Sequence, residues 1–172
     1  MAWDGRIAEL AYCAGVIDSD GTIGVKRSTY AMRVTKDSQQ PTYSERVCVK
    51  QVEPHAVRLL NSLFGGYMSK APASCGKGKP LFVWQVTDRK AAGCLKALLP
   101  FLRIKKAQAE NCLRLREIKE ASKKARVSHG RGHTGSGRRS VSHSAAMDAH
   151  YLRAKELNLV GKVVVGDVGR AN

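Results

Sequence analysis

Two carboxylates one residue apart close an apolar segment near the start of the chain, Cys13-Ala14-Gly15-Val16-Ile17-Asp18-Ser19-Asp20-Gly21. Ala8, Ala11, Ala14 and Gly15 recur at helical spacing, and residues this small let a second helix approach closely. Acids at a helix C-terminus stand against the helix dipole and beside unpaired carbonyls, so such an end wants a cation. Two copies packed about a two-fold axis would bring two Asp20 carboxylates together, which is costly unless a divalent metal neutralises them. A plain helix C-cap with solvated acids fits the same spacing.

The elements that must position these acids follow from hydrophobic periodicity. Ile7, Leu10, Ala14 and Ile17 predict an amphipathic helix over about 5–19, ended by Gly21 as a left-handed cap. Ile23 and Val25 then alternate with Thr22, Gly24, Lys26 and Ser28, and Val47 and Val49 with Thr42, Ser44, Arg46, Cys48 and Lys50. These are two strands of a hairpin, each with one polar face. Pro54 opens a second helix that carries Val57, Leu60, Leu63 and Phe64 inward and stops at Gly65-Gly66. Strand patterning returns at 67–72 and 80–87 around a Gly-rich tip, and helices follow at 91–99 and 105–124, separated by Pro100. A helix-then-hairpin unit thus occurs twice, which predicts an α+β domain: one antiparallel sheet, helices on one face, the other face open. Residues 1–125 form this core, 126–144 read as a basic Gly/Ser/His-rich loop, and 145–172 hold a short helix and a tail of the same domain.

The chain has 172 residues, 43% of them hydrophobic, enough to bury a core. Its 30 Lys and Arg against 14 Asp and Glu give a formal charge of +16, which makes a polyanion, and nucleic acid above all, the expected partner. Arg103 to Arg139 concentrates twelve basic residues against three acidic ones. A non-catalytic nucleic-acid binder satisfies this composition equally well. No apolar run is long enough to span a membrane and no secretory leader pattern opens the sequence, so a soluble intracellular protein, in cytoplasm or organelle, with no membrane partner is expected. Cys13, Cys48, Cys75, Cys94 and Cys112 are odd in number and widely spaced, as suits reduced thiols. His129, His133, His143 and His150 lack the Cys or carboxylate partners of a zinc site.

The segment CAGVIDSDGTIG resembles the signature of the LAGLIDADG homing endonucleases, with Cys13 in place of the first Leu and Ser19 in place of the second Ala. Further landmarks resemble the same family: a strand ending in Gln51 before a helix, Phe64-Gly65-Gly66, Trp84-Gln85-Val86, and Pro100 to Ala109. The resemblance covers roughly residues 7–120, with a fainter match at 149–158, and an ordered set of landmarks is more specific than one short pattern.

That resemblance implies the family's αββαββα fold with a four-stranded DNA-binding sheet. It implies that Asp20 binds a divalent metal, Mg2+ with Mn2+ or Ca2+ as substitutes, that Ser19 adds its backbone carbonyl, that Gln51 orders water nearby, and that Lys105 lies near the scissile phosphate. Asp18 is expected to hold the helix end or the partner helix. Only one motif is present, so the resemblance implies a homodimer crossing at Ala11, Ala14, Gly15 and Asp18, and a near-palindromic double-stranded DNA target. The expected DNA contacts are Thr22, Gly24, Lys26, Ser28 and Tyr30 on the first strand and Thr42, Ser44, Arg46, Cys48 and Lys50 on the second. Ser69, Lys70, Gln85, Arg103, Arg138 and Arg139 complete them, with Arg46 and Lys26 suited to guanine and Gln85 to adenine. The function implied is a metal-dependent double-strand break, leaving 5′-phosphate and 3′-hydroxyl ends, that propagates a host intron or intein. Two other readings fit the same surface: a maturase binding intron RNA, and a non-catalytic DNA-binding regulator.

Overall fold

The computed structural model describes residues 5–28, 41–73, 78–128 and 141–159; Tyr30, Cys75, Arg138, Arg139 and the 161–172 tail lie outside them. The elements are α1 (Gly5–Asp20), β1 (Gly21–Ser28), β2 (Thr42–Gln51), α2 (Pro54–Phe64), β3 (Tyr67–Ala71), β4 (Leu81–Thr87), α3 (Asp88–Leu98), α4 (Lys106–Ser128) and α5 (Val141–Leu159). The four strands form one antiparallel sheet in the order β1-β2-β4-β3, the α+β architecture that the doubled helix-hairpin pattern predicts. No described helix is long and apolar enough to cross a membrane.

The chain passes from α1 into β1 without a connecting residue. Glycine is required at this junction for space: a Cβ on Gly21 would lie 2.7 Å from both Cα and the carbonyl oxygen of Ile17. The expected left-handed cap is not what occurs, since the positive-φ glycines among the described residues are Gly65, Gly66 and Gly78. At the end of α2 the backbone itself requires glycine. Gly66 has φ 117°, and a Cβ there would stand 2.7 Å from the Gln85 carbonyl and 2.9 Å from the Trp84 indole nitrogen. That indole donates to the Gly65 carbonyl at 2.8 Å, so Trp84 fixes the turn that starts β3.

Strand alternation decides the layers. Ile23, Val47, Val49, Trp84 and Val86 face inward and pack with Cys13, Ile17, Val57, Leu60, Leu95 and Leu98. A smaller cluster of Tyr43, Leu115 and Met147 seals the other end, with Val25, Ile118 and Tyr151 against it. Cys13, Cys48, Cys94 and Cys112 are buried free thiols. One inward position on β2 carries an acid: Glu45 is fully buried, its Oε2 accepting from Arg116 at 2.5 Å and Lys119 at 3.1 Å. Both cations also meet Asp88, a non-glycine residue at φ 56°.

The segment read as a loop over 126–144 is helical at both described ends, because α4 continues to Ser128 and α5 begins at Val141. Polar contacts join α4 to α5 along their length. Ser122 meets His143 at 2.7 Å, Asn111 and His150 bond to each other twice, and Gln108 donates to the Leu157 carbonyl at 3.1 Å. Replacing Gly21 by Ala forces a methyl group against the Ile17 backbone. A loss of about 1–3 kcal/mol is expected, to be measured by urea denaturation with far-UV circular dichroism.

Candidate active site and nucleic-acid interface

The last turn of α1 holds two acids in different surroundings. Asp18 is spent inside the chain: Oδ2 accepts the backbone N–H groups of Arg103 at 2.7 Å and Ile104 at 3.2 Å, and Oδ1 that of Lys105 at 2.9 Å. Burial works to raise its pKa, but the three N–H bonds and the Lys105 charge outweigh it and hold the carboxyl below its ordinary range. Lys105 returns the contact, its Nζ donating to the carbonyls of Ile17 at 2.8 Å, Asp18 at 2.7 Å and Ser19 at 3.3 Å. These carbonyls have no acceptor role inside the helix, and an ammonium there also complements the dipole. Burial lowers the Lys105 pKa, opposed by Asp18 and Asp20.

Asp20 is exposed, and its Oδ2 accepts from Gln51 Nε2 at 2.9 Å. The three residues singled out for chemistry, Asp20, Gln51 and Lys105, therefore converge on one helix end from α1, the end of β2 and the start of α4. A cavity of about 410 Å³ opens beside Asp20 and Gln51 and is also lined by Tyr12, Glu53 and His55. Glu53 and His55 have a positional signal in the sequence, since Gln51 ends its strand two residues before α2 and obliges the opening of α2 to border the same cavity; Tyr12, on α1, has no such signal.

The donor set fits a hard divalent cation. Asp20 offers an exposed carboxylate, and the Ser19 carbonyl stands at the helix end. No group of three or more His, Cys, Asp or Glu gathers among the described residues. One chain thus supplies fewer ligands than such an ion takes, leaving positions for water and phosphate oxygens.

Most of the residues expected to contact DNA lie on the open sheet face, with exceptions. Thr22, Lys26, Thr42, Arg46 and Lys50 are exposed, and Ser28, Ser44, Ser69 and Gln85 half-exposed. Register places Thr22, Cys48, Gln85 and Tyr67 in one row across all four strands. Cys48 faces outward in this row but is only 7% exposed, because it sits between neighbours on both sides. Lys70 belongs to the opposite face, its ammonium 5.5 Å from the ring of inward-facing Phe82, and is removed from the reader set. Gly24 faces outward beside the side chain of Asn158 rather than toward open solvent. Arg103 is exposed, next to the Asp18 contact.

On α1, Ala11 and Gly15 are exposed with Ile7 and Tyr12, each 48% exposed. A Cβ on Gly15 would meet nothing within 4 Å. Ala14 is different: it is fully buried in the chain's own core, on the face opposite a crossing helix, and cannot line that crossing.

No protein-family model matches the sequence, and sequence comparison finds no curated relative. Solved structures do match. The homing endonuclease I-CvuI, in complex with a DNA target, superposes with a TM-score of 0.59 at 16% identity over 96% of this chain and 88% of its own. The homing endonuclease I-TnaI gives 0.55 at 13% identity over 89% and 95%. The LAGLIDADG homing endonuclease I-GzeII, bound to DNA, gives 0.55 at 12% identity over 85% of this chain and 43% of its own. The fold is that of the LAGLIDADG homing endonucleases.

Asp18 supplies a test of the helix-end lock. With its pKa depressed below the ordinary 3.8, its stabilisation is fully present above that value and disappears as pH falls through the folded-state pKa. Asp18→Asn is expected to cost about 2 kcal/mol at pH 7, with the difference from the parent protein shrinking below pH ~4, as measured by denaturant titration at a series of pH values.

Proposed function

We propose that the protein is a homodimeric, divalent-metal-dependent, site-specific DNA endonuclease that serves the mobility of an intron or intein. The observation that carries this reading is the convergence of Asp20, Gln51 and Lys105 at one helix end, beside an open sheet face rich in Lys and Arg. The exposed stripe of Ala11, Gly15, Ile7 and Tyr12 supports a helix crossing between two copies. A two-fold axis along that crossing gives the target its near-palindromic form.

In this reading Asp20 and the Ser19 carbonyl would hold the cation. A bound divalent ion would supply charge neutralisation at phosphate and a lowered pKa for water. Gln51 orients the Asp20 carboxylate through its amide N–H, and its carbonyl oxygen remains available to a water hydrogen. Lys105 leaves the Ser19 carbonyl at 3.3 Å most readily of its three contacts, and its ammonium then faces the phosphate to be cut. Arg46 and Lys26 read base edges from the sheet, and the surrounding positive charge holds the backbone.

Asp20→Asn is expected to bind duplex DNA as the parent does while cleaving about 10²–10³-fold more slowly. The measurement is cutting of a randomised duplex library, with and without Mg2+, followed by sequencing of the ends. Full cleavage by this variant would remove Asp20 as metal ligand, and DNA binding without any Mg2+-dependent cutting by the parent would leave a regulator or an RNA-binding maturase. Arg46→Ala is expected to relax preference at one base pair per half-site by about 1–3 kcal/mol, read from a panel of single-base-pair target variants.

A further inference from the structure

A groove of about 620 Å³ runs between the outward side of β1 and β2 and the last turn of α5. Its charged lining is Lys26, Arg46, Lys50 and Lys155, with no carboxylate among them. Three of these cations rise from the sheet; the fourth comes from the helix. The helix end is held in place by two side-chain bonds. Asn158 Nδ2 donates to the Ile23 carbonyl on β1 at 3.0 Å, and Gln108 Nε2 on α4 donates to the Leu157 carbonyl at 3.1 Å. The Asn158 side chain lies over Gly24, where a Cβ would stand 3.4 Å from Nδ2, at van der Waals contact. Lys155 carries its ammonium 5.0 Å from the Tyr151 ring centroid, a position an aromatic face favours.

We infer that the last turn of α5 is a side wall of the DNA-binding surface that grips one sugar-phosphate strand of the duplex, with Lys155 as the phosphate contact and Asn158 as the positioning residue. This rests on the DNA-binding reading above. Among the α5 residues facing the groove, Ala154 and Leu159 are apolar and Asn158 has spent its amide on Ile23 and Ala154. Of these, Lys155 alone offers a cationic donor. A lysine ammonium is a point charge that neutralises phosphate without reading a base. A sheet face with a helical rim matches the wide major groove of B-form DNA, whereas the deep, narrow major groove of A-form RNA does not admit it.

The test is the affinity of the full chain for two unrelated fluorescent duplexes of about 30 base pairs, measured against NaCl concentration without divalent metal. Lys155→Gln is expected to reduce the slope of log K against log salt by about 2, equally on both duplexes, because each phosphate contact contributes about 0.9 and the proposed dimer carries two copies of Lys155. Lys155→Arg and the control Lys96→Gln, an exposed lysine on α3, keep the parent slope. Asn158→Ala lowers the slope although Lys155 is intact, an effect that lost stability alone does not produce. If the parent binds with a steep salt dependence and Lys155→Gln matches Lys96→Gln, the wall is refuted and the DNA-binding reading survives. Tighter binding by Lys155→Gln would make α5 an obstruction and equally refute it. If the parent shows no salt-dependent duplex binding, both fall together.

Discussion

The end of α1 is an unfavourable place to keep two carboxylates, and the structure depends on how that conflict is relieved. Asp18 and Lys105 lock in opposite directions: a carboxylate takes three backbone N–H groups from 103–105, and an ammonium takes three backbone carbonyls from 17–19. Each segment satisfies the unpaired backbone groups of the other. One acid of the pair thereby becomes a fastening and leaves the second, Asp20, facing solvent with Gln51 as its partner. The same exchange fixes where α4 begins, because Lys105 immediately precedes it.

Helix α4 carries the constraint to the far side of the domain. Arg116 and Lys119 stand about 15 and 20 Å along its axis from its first residue and meet the buried Glu45 and the partly exposed Asp88. Burial works to raise the Asp88 pKa, but Lys119 and Arg116 together bring it down to about 2. Breaking a buried pair by removing one partner leaves an uncompensated charge in the core, so these residues form a unit in which single changes are costly. They also hold Asp88 at its positive φ, where a left-handed backbone would otherwise oppose the start of α3.

Most of the layer structure was legible because it follows from alternation and helical spacing that one core enforces. Ile23, Val25, Val47 and Val49 point where their parity requires, and Gly65-Gly66 ends α2 where read. Of the candidate site, Asp20, Gln51 and Lys105, singled out through the resemblance, lie at one helix end. The misses share a cause: they depend on what lies beside a residue in space. Ala14 has the size for a helix crossing but turns toward the chain's own core. Cys48 has an outward parity yet is covered by its cross-strand row. Lys70 sits one position off the reader face. His143 looks like part of a loop because its partner Ser122 lies on α4, more than fifteen positions away in sequence. Glu45 was the one overlooked residue whose parity did announce burial, since it shares a face with Val47 and Val49.

The buried thiols carry a practical corollary. Burial raises the pKa of Cys13 to about 11 and of Cys112 to about 12, and moves Cys94 higher still. Alkylation requires both access and thiolate, and the folded chain denies both. The three report from separate helices, α1, α3 and α4, so the order in which they react under mild denaturant would trace which helix detaches first. The protein thus contains its own set of chemical clocks for local opening, without an introduced label.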